Sequence, residues 1–230
     1  MLEDLKYEVL QANLMLPRNG LVALTWGNVS AVDPSREFLV IKPSGVAYDE
    51  LRRDDMVVIR IADGIVVEGR LRPSSDTPSH RVLYQAFRSI GGIVHTHSAW
   101  ATAWAQAGRE IPMLGTTHAD FAHGPIPCTR DLTPDEVDAT FEENTGRSIV
   151  EAFQELDCEA VPAVLVRGHG PFCWGKTAWA AVTNAIILEE VAKIAHRTLA
   201  LNPEAELNQA IGARHFRRKH GPEAYYGQPS

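Results

Sequence analysis

The sequence predicts an α/β fold, a three-layer sandwich in which helices cover both faces of a mostly antiparallel central sheet. Residues 21–69 consist of short β-rich segments joined by turn residues, which favours strands that pair with their neighbours in the chain. Helical spacing of apolar residues and helix-start signals occur before and after that region. No repeat or flexible linker divides the chain, so we expect residues 1–230 to form one domain.

The first half of the chain is predicted to begin with a helix and to continue with strands. Apolar residues over positions 2–16 recur at helical spacing, and Pro17 with Gly20 is expected to end that helix. Three β-rich segments follow, LVALTWGNVSAVD, EFLVIKPSG and DMVVIRIADGIVVEG. The third contains Asp63 and Gly64 between two apolar runs, a pattern that is typical of a β-hairpin.

The middle of the chain alternates helices with single strands. A helix is expected after PSSDTPSH, with Thr77 as its N-cap and Pro78 in its first turn. The strand in GGIVHTHS then precedes a helix over about residues 99–108 and an irregular stretch. A capping box that begins at Thr133 predicts a helix that reaches about residue 156.

The last part of the chain is predicted to contain a strand, a long helix and a tail. The strand and turn AVLVRGHGPFCWG precede a helix over about residues 177–201. The tail HFRRKHGPEAYYGQPS has no apolar periodicity that would bury it in its own subunit. Its basic run over residues 214–219 is expected to be a solvated helix face, and a local anion site is the alternative.

Composition and charge restrict the functions that this chain can have. A net charge of −7 and a pI near 5.7 argue against nucleic acid or an anionic membrane as the main partner. Cys128, Cys158 and Cys173 form no CxxC pair, so neither a disulfide framework nor a cysteine zinc site is expected. The N-terminus does not resemble a signal peptide, and no apolar run has the length of a membrane span. We therefore expect a cytoplasmic protein.

The stretch GGIVHTHSAW contains two histidines that are one residue apart. Alternate side chains of a strand point to one face, so His95 and His97 would share a face while Thr96 takes the other. Two imidazoles about 6.5–7 Å apart along a strand can converge on one metal ion. The alternative is a pair of half-buried histidines, each hydrogen-bonded to backbone or water.

A third histidine, His169, follows another apolar run and lies between Gly168 and Gly170. The glycines let the backbone turn and approach closely, which suits a ligand held at a strand end. Three protein ligands with an open fourth position are typical of catalytic zinc. The alternative for His169 is a turn histidine exposed to water.

Asp76 is the candidate carboxylate, because the loop at the start of a helix would hold it in a fixed position. Helix capping alone would also explain an aspartate there. Short polar side chains and open backbone amides in this loop and in two other turns could form a phosphate cradle without a Walker sequence. These cradle residues are Gly27, Asn28, Ser44, Gly45, Ser74 and Ser75.

Several motifs together carry a resemblance to a known family: TWGNVSAVD, IKPSGV, PSSDTPSHR, GGIVHTHS, IPCTR, GHGPFCWGK and RKHGPEAYYGQ. The chain resembles the L-ribulose-5-phosphate 4-epimerases, a branch of the class II aldolase family, over nearly its whole length. The resemblance implies the class II aldolase fold and a zinc-dependent epimerase that interconverts L-ribulose 5-phosphate and D-xylulose 5-phosphate. It also implies a phosphorylated pentulose as substrate and a homotetramer with active sites at subunit interfaces.

The resemblance assigns residues to the metal and to the substrate. Zinc, or another divalent metal, would be held by His95, His97 and His169, with Asp76 in or beside the metal shell. Lys42 would join the cradle residues in contacting the substrate and its phosphate.

Two acid/base residues are also implied by the resemblance. Asp120 and Tyr226 match them, and the tail over about residues 214–230 would carry Tyr226 into a neighbouring subunit's active site. Further positions linked to the site fall on Thr116, Glu142, His215 and Arg218.

The chemistry of the substrate agrees with these roles. C4 of a 2-ketopentose 5-phosphate is not adjacent to the carbonyl, so its proton is not acidic and inversion requires a carbon–carbon bond to break. Retro-aldol cleavage between C3 and C4 gives an enediolate, which zinc would stabilise as a Lewis acid. It also gives glycolaldehyde phosphate, which can rotate and add back through its other face. Asp120 and Tyr226 would take and return the proton on O4.

Two other functions fit the same residues less well. L-fuculose-1-phosphate aldolases share the fold, zinc and enediolate, but they carry a glutamate after the double serine, one methylene longer than Asp76. A zinc-binding module without turnover would be expected to have a closed, cysteine-rich site.

Overall fold

A seven-stranded sheet forms the centre of the protein, whose computed structural model describes residues 2–221 together with 224 and 225. The strand order is β4-β3-β2-β1-β5-β7-β6, and each neighbouring pair is antiparallel. The predicted antiparallel sheet is therefore confirmed. The strands are β1 (Asn28–Val32), β2 (Phe38–Ile41), β3 (Val57–Arg60), β4 (Val66–Glu68), β5 (Gly92–His95), β6 (Ala163–Val166) and β7 (Gly170–Gly175).

Helices cover both faces of the sheet, as the sequence predicts. On one face α6 packs closely on β5 and β7, because Gly92 and Gly175 leave no Cβ between helix and sheet. On the other face, the ring of Trp174 contacts Phe87 and Phe153, which follow the ends of α2 and α5. The helices are α1 (Glu3–Arg18), α2 (Thr77–Ala86), α3 (Ala99–Gln106), α4 (Thr116–Ala119), α5 (Pro134–Ala152), α6 (Ala178–Leu201) and α7 (Gln209–His220).

The strand register decides which side chains share the face covered by α2. Asn28 lies opposite His95, and His95 lies opposite Phe172. Residues directly opposite each other in antiparallel strands project to the same face. Ser30 joins this set, because it is two residues from Asn28 on β1. Strands β1 and β5 thus present a polar group of side chains to the start of α2, beside the ring of Phe172 from β7.

Two predicted local signals are present as hydrogen bonds. Gly64 has a φ of 78°, and the Arg60 N–H donates to the Ile65 carbonyl at 2.9 Å, which closes the predicted hairpin. At the start of α5, the Glu136 N–H donates to Thr133 Oγ1 at 3.3 Å. The Thr133 N–H donates to the Glu136 carboxylate at 2.8 Å, which completes the capping box.

The start of α2 differs from the prediction. Thr77 is the first helical residue and not the N-cap, and its Oγ1 donates to the Ser74 carbonyl at 2.6 Å. Asp76 precedes the helix with φ −74° and ψ −1°, and its side chain makes no capping hydrogen bond. An N-cap side chain usually reaches back from an extended backbone, which Asp76 lacks. Capping therefore does not explain the aspartate at position 76.

Two helix ends also differ from the prediction. The first helix continues to Arg18, because a proline in the last turn removes only one N–H and Asn19 then caps the carbonyl of Met15 at 2.8 Å. The helix that begins after Thr133 ends at Ala152 instead of about residue 156.

The C-terminal tail is partly buried in its own subunit, contrary to the expectation from its lack of apolar periodicity. Residues 209–220 form α7, which packs on α4 of the same chain. Contact of the tail with a neighbouring subunit stays a prediction, and Tyr226 lies outside the described residues. Within the described part of the chain, no helix combines the length and apolarity needed to cross a membrane.

Candidate metal centre and active site

Three histidines converge at one end of the sheet. His95 ends β5, His97 follows two residues later, and His169 lies in the turn between β6 and β7. One ring nitrogen from each lies within 4.8 Å of the other two, and the Nε2 atoms of His95 and His97 are 3.2 Å apart. A tetrahedral metal with bonds of about 2.0–2.1 Å separates its ligand nitrogens by roughly 3.3 Å. The spacing therefore fits one metal ion.

The sheet fixes the orientation of the His95 ring. Its face stacks on Phe172 with centroids 4.3 Å apart, and its Nδ1 donates to the Pro171 carbonyl at 3.0 Å. A carbonyl only accepts, so the proton of the neutral ring is on Nδ1 and the lone pair is on Nε2. Metal-bound histidines are typically oriented by a hydrogen bond of this kind.

His97 reaches the cluster although β5 ends before it. The regular strand stops at His95, so strand alternation alone does not place the second histidine. Thr96 is buried and its N–H donates to the Pro171 carbonyl at 3.4 Å. The centroid of the His97 ring lies 5.0 Å from those of His95 and His169. The bond to Pro171 extends the strand direction by one residue and lets the rings converge.

The protonation of the histidines also suits metal binding. Burial, together with the charges of His95 and His97, lowers the pKa of His169 to about 4. The pKa of His97 is also lowered, mainly by burial and to a smaller extent by the charge of His95. His169 Nδ1 is buried and has no hydrogen-bond partner among the described residues. Neutral imidazoles with a free nitrogen are ligands for zinc and similar ions, so these residues fit a divalent metal.

The Asp76 carboxylate lies next to the histidines and is held by its neighbours. Asn28 Nδ2 donates to Asp76 Oδ2 at 2.6 Å and to Ser74 Oγ at 3.0 Å. Burial opposes the ionisation of Asp76, but the nearby rings of His95 and His80 and the Asn28 hydrogen bond keep its pKa below the ordinary value. Asp76 is therefore ionised at neutral pH and available to a cation.

A cleft of about 290 Å³ opens beside the cluster. All the predicted cradle residues line it, together with Asp76, the three histidines and Lys42. Lys42 is 1% exposed, and its Nζ donates to the Thr25 carbonyl at 3.2 Å. Burial lowers the pKa of Lys42 to about 8, so the amine is charged at neutral pH. The cleft thus combines a buried cation with the exposed hydroxyl residues Ser44 and Ser75.

Asp120 does not line this cleft and is bound instead by the tail of its own chain. It follows α4 and is not among the residues that line the cleft. Arg218 Nε and His215 Nδ1, both on α7, each lie 3.0 Å from Asp120 Oδ1. Burial favours the neutral acid, but these two partners keep the pKa of Asp120 below the ordinary value. The anion that the basic run binds here is therefore a carboxylate of the same chain.

The remaining predicted positions flank these features. Thr116 is exposed at the start of α4, and its carbonyl accepts the Asp120 N–H at 2.8 Å. Glu142 lies on α5, where its carbonyl accepts a hydrogen bond from Ser79 Oγ. The next residue back, Phe141, has its ring centroid 6.1 Å from that of His169. The structure therefore places Thr116 beside Asp120, and it places Glu142 next in sequence to the aromatic residue that faces His169.

Comparison with known proteins identifies the family. The pattern of the class II aldolase and adducin N-terminal domain matches residues 7–196. The chain belongs to the class II aldolase family. An L-ribulose-5-phosphate 4-epimerase, UlaF, from Salmonella paratyphi B is 55% identical over 228 residues, which are 99% of this chain and 100% of that protein. UlaF from Salmonella typhi shows the same identity over the same shares.

Solved structures of the class II aldolase family share the fold. An L-fuculose 1-phosphate aldolase superposes with a TM-score of 0.80 at 25% identity, covering 93% of this chain and 96% of that one. The L-fuculose 1-phosphate aldolase from Glaciozyma antarctica PI12 has a TM-score of 0.78 at 18% identity, covering 96% of this chain and 84% of that one. At 18% identity, the superposition on the Glaciozyma antarctica protein shows a shared fold and nothing about activity.

Sequence reasoning missed one aromatic residue at this class II aldolase site. Trp26 lines the cleft, is 54% exposed, and has its ring centroid 6.3 Å from that of His97. Its carbonyl accepts from the Tyr48 hydroxyl at 2.8 Å, which fixes the loop. The signal was present in the sequence, since Trp26 directly precedes two predicted cradle residues, Gly27 and Asn28.

Gly170 should be required for the metal centre because of where it packs. A Cβ at this position would lie 2.7 Å from the Thr96 carbonyl oxygen and 3.3 Å from His97 Cδ2. We expect Gly170→Ala to displace His97, to weaken metal binding by about tenfold or more, and to cost about 1–3 kcal/mol of stability. Metal titration and thermal unfolding measure both effects.

The matched control is Gly168→Ala in the same turn. Gly168 has a φ of 72°, but a Cβ there would meet nothing within 4 Å. We expect backbone strain of about 1–2 kcal/mol and an unchanged metal affinity. Equal metal affinity in both variants would contradict the role given to Gly170.

Proposed function

We propose that this protein is an L-ribulose-5-phosphate 4-epimerase that interconverts L-ribulose 5-phosphate and D-xylulose 5-phosphate. The observation that carries the proposal is the three-histidine cluster, which shares one cleft with Lys42 and small polar residues. Identity of 55% over the full length of a protein with that name supports the substrate. A metal-assisted cleavage of a sugar phosphate needs both a metal centre and an anion site, and the cleft contains candidates for each.

The histidines are proposed to hold the metal. A divalent ion, when bound, supplies Lewis-acid stabilisation to the enediolate oxygens. His95, His97 and His169 would bind it as neutral ligands, and Asp76 would lie in or beside its shell. Zinc is the expected ion, although imidazole sites also accept other divalent ions.

The cation and hydroxyl groups of the cleft are proposed to orient the substrate through its phosphate. The Lys42 ammonium and the hydroxyls of Ser44, Ser74 and Ser75 would bind the phosphate. This anchor would leave the carbonyl end of the pentulose toward the histidines. Binding energy at the phosphate then positions the C3–C4 bond for cleavage.

Asp120 and Tyr226 are proposed to move the proton on O4. Arg218 and His215 keep Asp120 ionised, which is the protonation state that a proton acceptor requires. A homotetramer with sites between subunits would explain why Asp120 does not line the cleft of its own chain. Since α7 is bound to Asp120, we propose that both groups come from one neighbouring subunit.

A metal-dependent epimerase assay tests the proposed function. The purified protein is given L-ribulose 5-phosphate, and D-xylulose 5-phosphate is measured with a coupled enzyme, with metal content determined on the same sample. We expect turnover that a chelator removes and added zinc restores. A protein that retains metal but converts neither pentulose phosphate would overturn the proposal.

The charge of Lys42 should set the upper pH limit of substrate binding. With a pKa of about 8, the amine is charged below that pH and loses its charge above it. We therefore expect kcat/KM to fall as pH rises through about 8. Lys42→Met should remove this limb and raise KM by roughly 10- to 100-fold, the equivalent of about 1.5–3 kcal/mol for a charged hydrogen bond.

The control for Lys42 is Lys176→Met, because the Lys176 side chain is 81% exposed. It should leave KM and the pH profile unchanged. Binding of inorganic phosphate to the metal-free protein, measured by calorimetry, provides a readout that does not depend on the metal. If phosphate binds Lys42→Met as tightly as the wild type, Lys42 is not the anion site.

A class II aldolase is the second candidate function, favoured by the superposition on L-fuculose 1-phosphate aldolase. The two activities differ in the fate of the enediolate, which an aldolase protonates at C3. We expect Asp76→Glu to reduce epimerase activity and to increase cleavage to free products, because the longer carboxylate could reach C3. Full epimerase activity without new cleavage would contradict this role for Asp76.

A further inference from the structure

A buried hydrogen-bond chain lies beside the histidine cluster and joins Tyr84, Ser30 and His80. Ser30 Oγ is 2.8 Å from the Tyr84 hydroxyl oxygen and 2.7 Å from His80 Nδ1. Each of the three residues is at most 1% exposed. Buried polar groups cost stability unless they are paired, so three of them in a row call for an explanation.

The position of His80 connects this hydrogen-bond chain to the metal centre. His80 is one helical turn after Asp76 on α2, and its N–H donates to the Asp76 carbonyl at 3.1 Å. Its ring meets Phe172 edge-on at 5.8 Å, and Phe172 in turn stacks on His95. His80 thus contacts Asp76 through the helix backbone and His95 through the ring of Phe172.

The direction of each hydrogen bond between Tyr84, Ser30 and His80 follows from the partners that each group has. Within the described part of the protein, Ser30 Oγ is the side-chain partner of the Tyr84 hydroxyl, so Tyr84 donates to Ser30. The single proton of Ser30 then goes to His80 Nδ1. The reverse order would leave the buried Tyr84 proton without an acceptor. A neutral imidazole that accepts at Nδ1 carries its proton on Nε2.

The remaining donor of His80 lies four residues after Asp76, a spacing that puts the two side chains on one face of the helix start. His80 Nε2 is buried and has no partner among the described residues. Asp76 accepts from Asn28 and Ser74 at Oδ2, which leaves Oδ1 for another donor or for the metal. A donor beside this carboxylate would restrict its rotation, as hydrogen bonds to metal-binding groups commonly do.

We propose that Tyr84 and Ser30 fix His80 in its Nε2–H tautomer, and that His80 is a positioning residue that orients the Asp76 carboxylate at the metal centre. The inference rests on the proposed function, because it places Asp76 at that centre. His80 does not touch the substrate in this arrangement, and it moves no proton during the reaction.

The test compares two buried serine-to-alanine variants. Ser30→Ala removes the link between Tyr84 and His80. Ser148→Ala is the control, since Ser148 is 1% exposed and its Oγ donates to the Thr145 carbonyl within α5. Each variant loses one buried serine hydroxyl, but only Ser30→Ala disconnects His80. Ser30→Thr keeps a hydroxyl at the same position and serves as the rescue.

Two measurements separate positioning from general stability. Long-range proton–nitrogen NMR of histidine-labelled, metal-free protein reports the tautomer of His80, which is assigned with His80→Gln. We expect the Nε2–H tautomer in the wild type and in Ser148→Ala, and its loss in Ser30→Ala. Competition with a chelator should show zinc bound about 10- to 100-fold more weakly by Ser30→Ala, with the control unchanged. Ser30→Thr should restore both signals.

The inference is overturned if Ser30→Ala keeps the wild-type tautomer and zinc affinity, or if Ser148→Ala loses as much affinity. Should Ser30→Ala fail to fold, Tyr84→Phe removes one oxygen from the chain and gives the same two readouts. A wild type that binds zinc but lacks epimerase turnover overturns the proposed function only. The tautomer and affinity measurements then still decide the role of His80.

Discussion

Replacing His169 with alanine should abolish metal binding and lower kcat/KM by about a thousandfold or more. The three histidine nitrogens lie within 4.8 Å of one another, so removal of one leaves only two imidazoles where catalytic zinc typically has three protein ligands. A bound metal contributes several kcal/mol to the transition state, and about 4 kcal/mol corresponds to roughly a thousandfold in rate. Metal content by mass spectrometry and the coupled assay on the same sample measure both effects.

The control for this variant is His196→Ala. His196 is exposed on α6, where its ring packs on Trp100 with centroids 5.4 Å apart. It should keep full metal content and activity. A His169→Ala protein with one metal per chain and undiminished turnover would show that the cluster is not the catalytic metal site.

Tyr226→Phe should lower kcat by about 10²- to 10⁴-fold while leaving metal content unchanged. General acid–base catalysis by a positioned side chain typically contributes this much, and phenylalanine removes only the hydroxyl. Tyr225→Phe is the matched control, because Tyr225 is the adjacent residue and is 68% exposed. Equal losses in the two variants, or a loss confined to Tyr225→Phe, would contradict the assignment of Tyr226.

Co-expression of inactive variants tests which subunit supplies the acid/base groups. If the tail serves a neighbour, hybrids of His169→Ala with Tyr226→Phe contain some sites with both intact halves, and activity should reappear. His169→Ala with Asp120→Asn should behave in the same way. Because α7 binds Asp120 within one chain, both groups should travel together. Asp120→Asn with Tyr226→Phe should then stay inactive, since each donor subunit lacks one group.

The outcome of that last pair distinguishes two arrangements. Activity in hybrids of Asp120→Asn with Tyr226→Phe would place Asp120 in the same subunit as the metal ligands. Failure of every pair to recover activity would mean that each site is built within one chain. Differently tagged subunits allow hybrids to be purified, so the absence of activity cannot reflect the absence of hybrids.

Local features of this fold were predictable where the sequence encodes them over a few residues. The hairpin at Asp63 and Gly64 depends on a turn that a glycine with positive φ makes possible. The capping box of Thr133 and Glu136 depends on two side chains three residues apart. Both interactions are complete within one turn, so the rest of the fold does not alter them.

Two of the predictions that failed depended, at least in part, on distant contacts. Thr77 does not cap α2, because the Ser74 carbonyl takes its hydroxyl and Asn28, from β1, takes the Asp76 carboxylate. The tail lacks apolar periodicity, yet α7 packs on its own subunit through Arg218 and Asp120. Polar and charged contacts between segments far apart in sequence leave no periodic pattern to detect.

The sequence by itself determined the antiparallel α/β fold, the family and the identity of three histidines, because strand patterns and spaced motifs are local properties. Only the tertiary structure decided how these groups meet. It extends the direction of β5 past its end so that His97 reaches His95, and it connects Asp76 to Asn28 across the sheet. It also connects His80 with Ser30, which is 50 residues away in the chain. Such contacts follow from strand register and helix packing, which are set by the whole core and not by neighbouring residues.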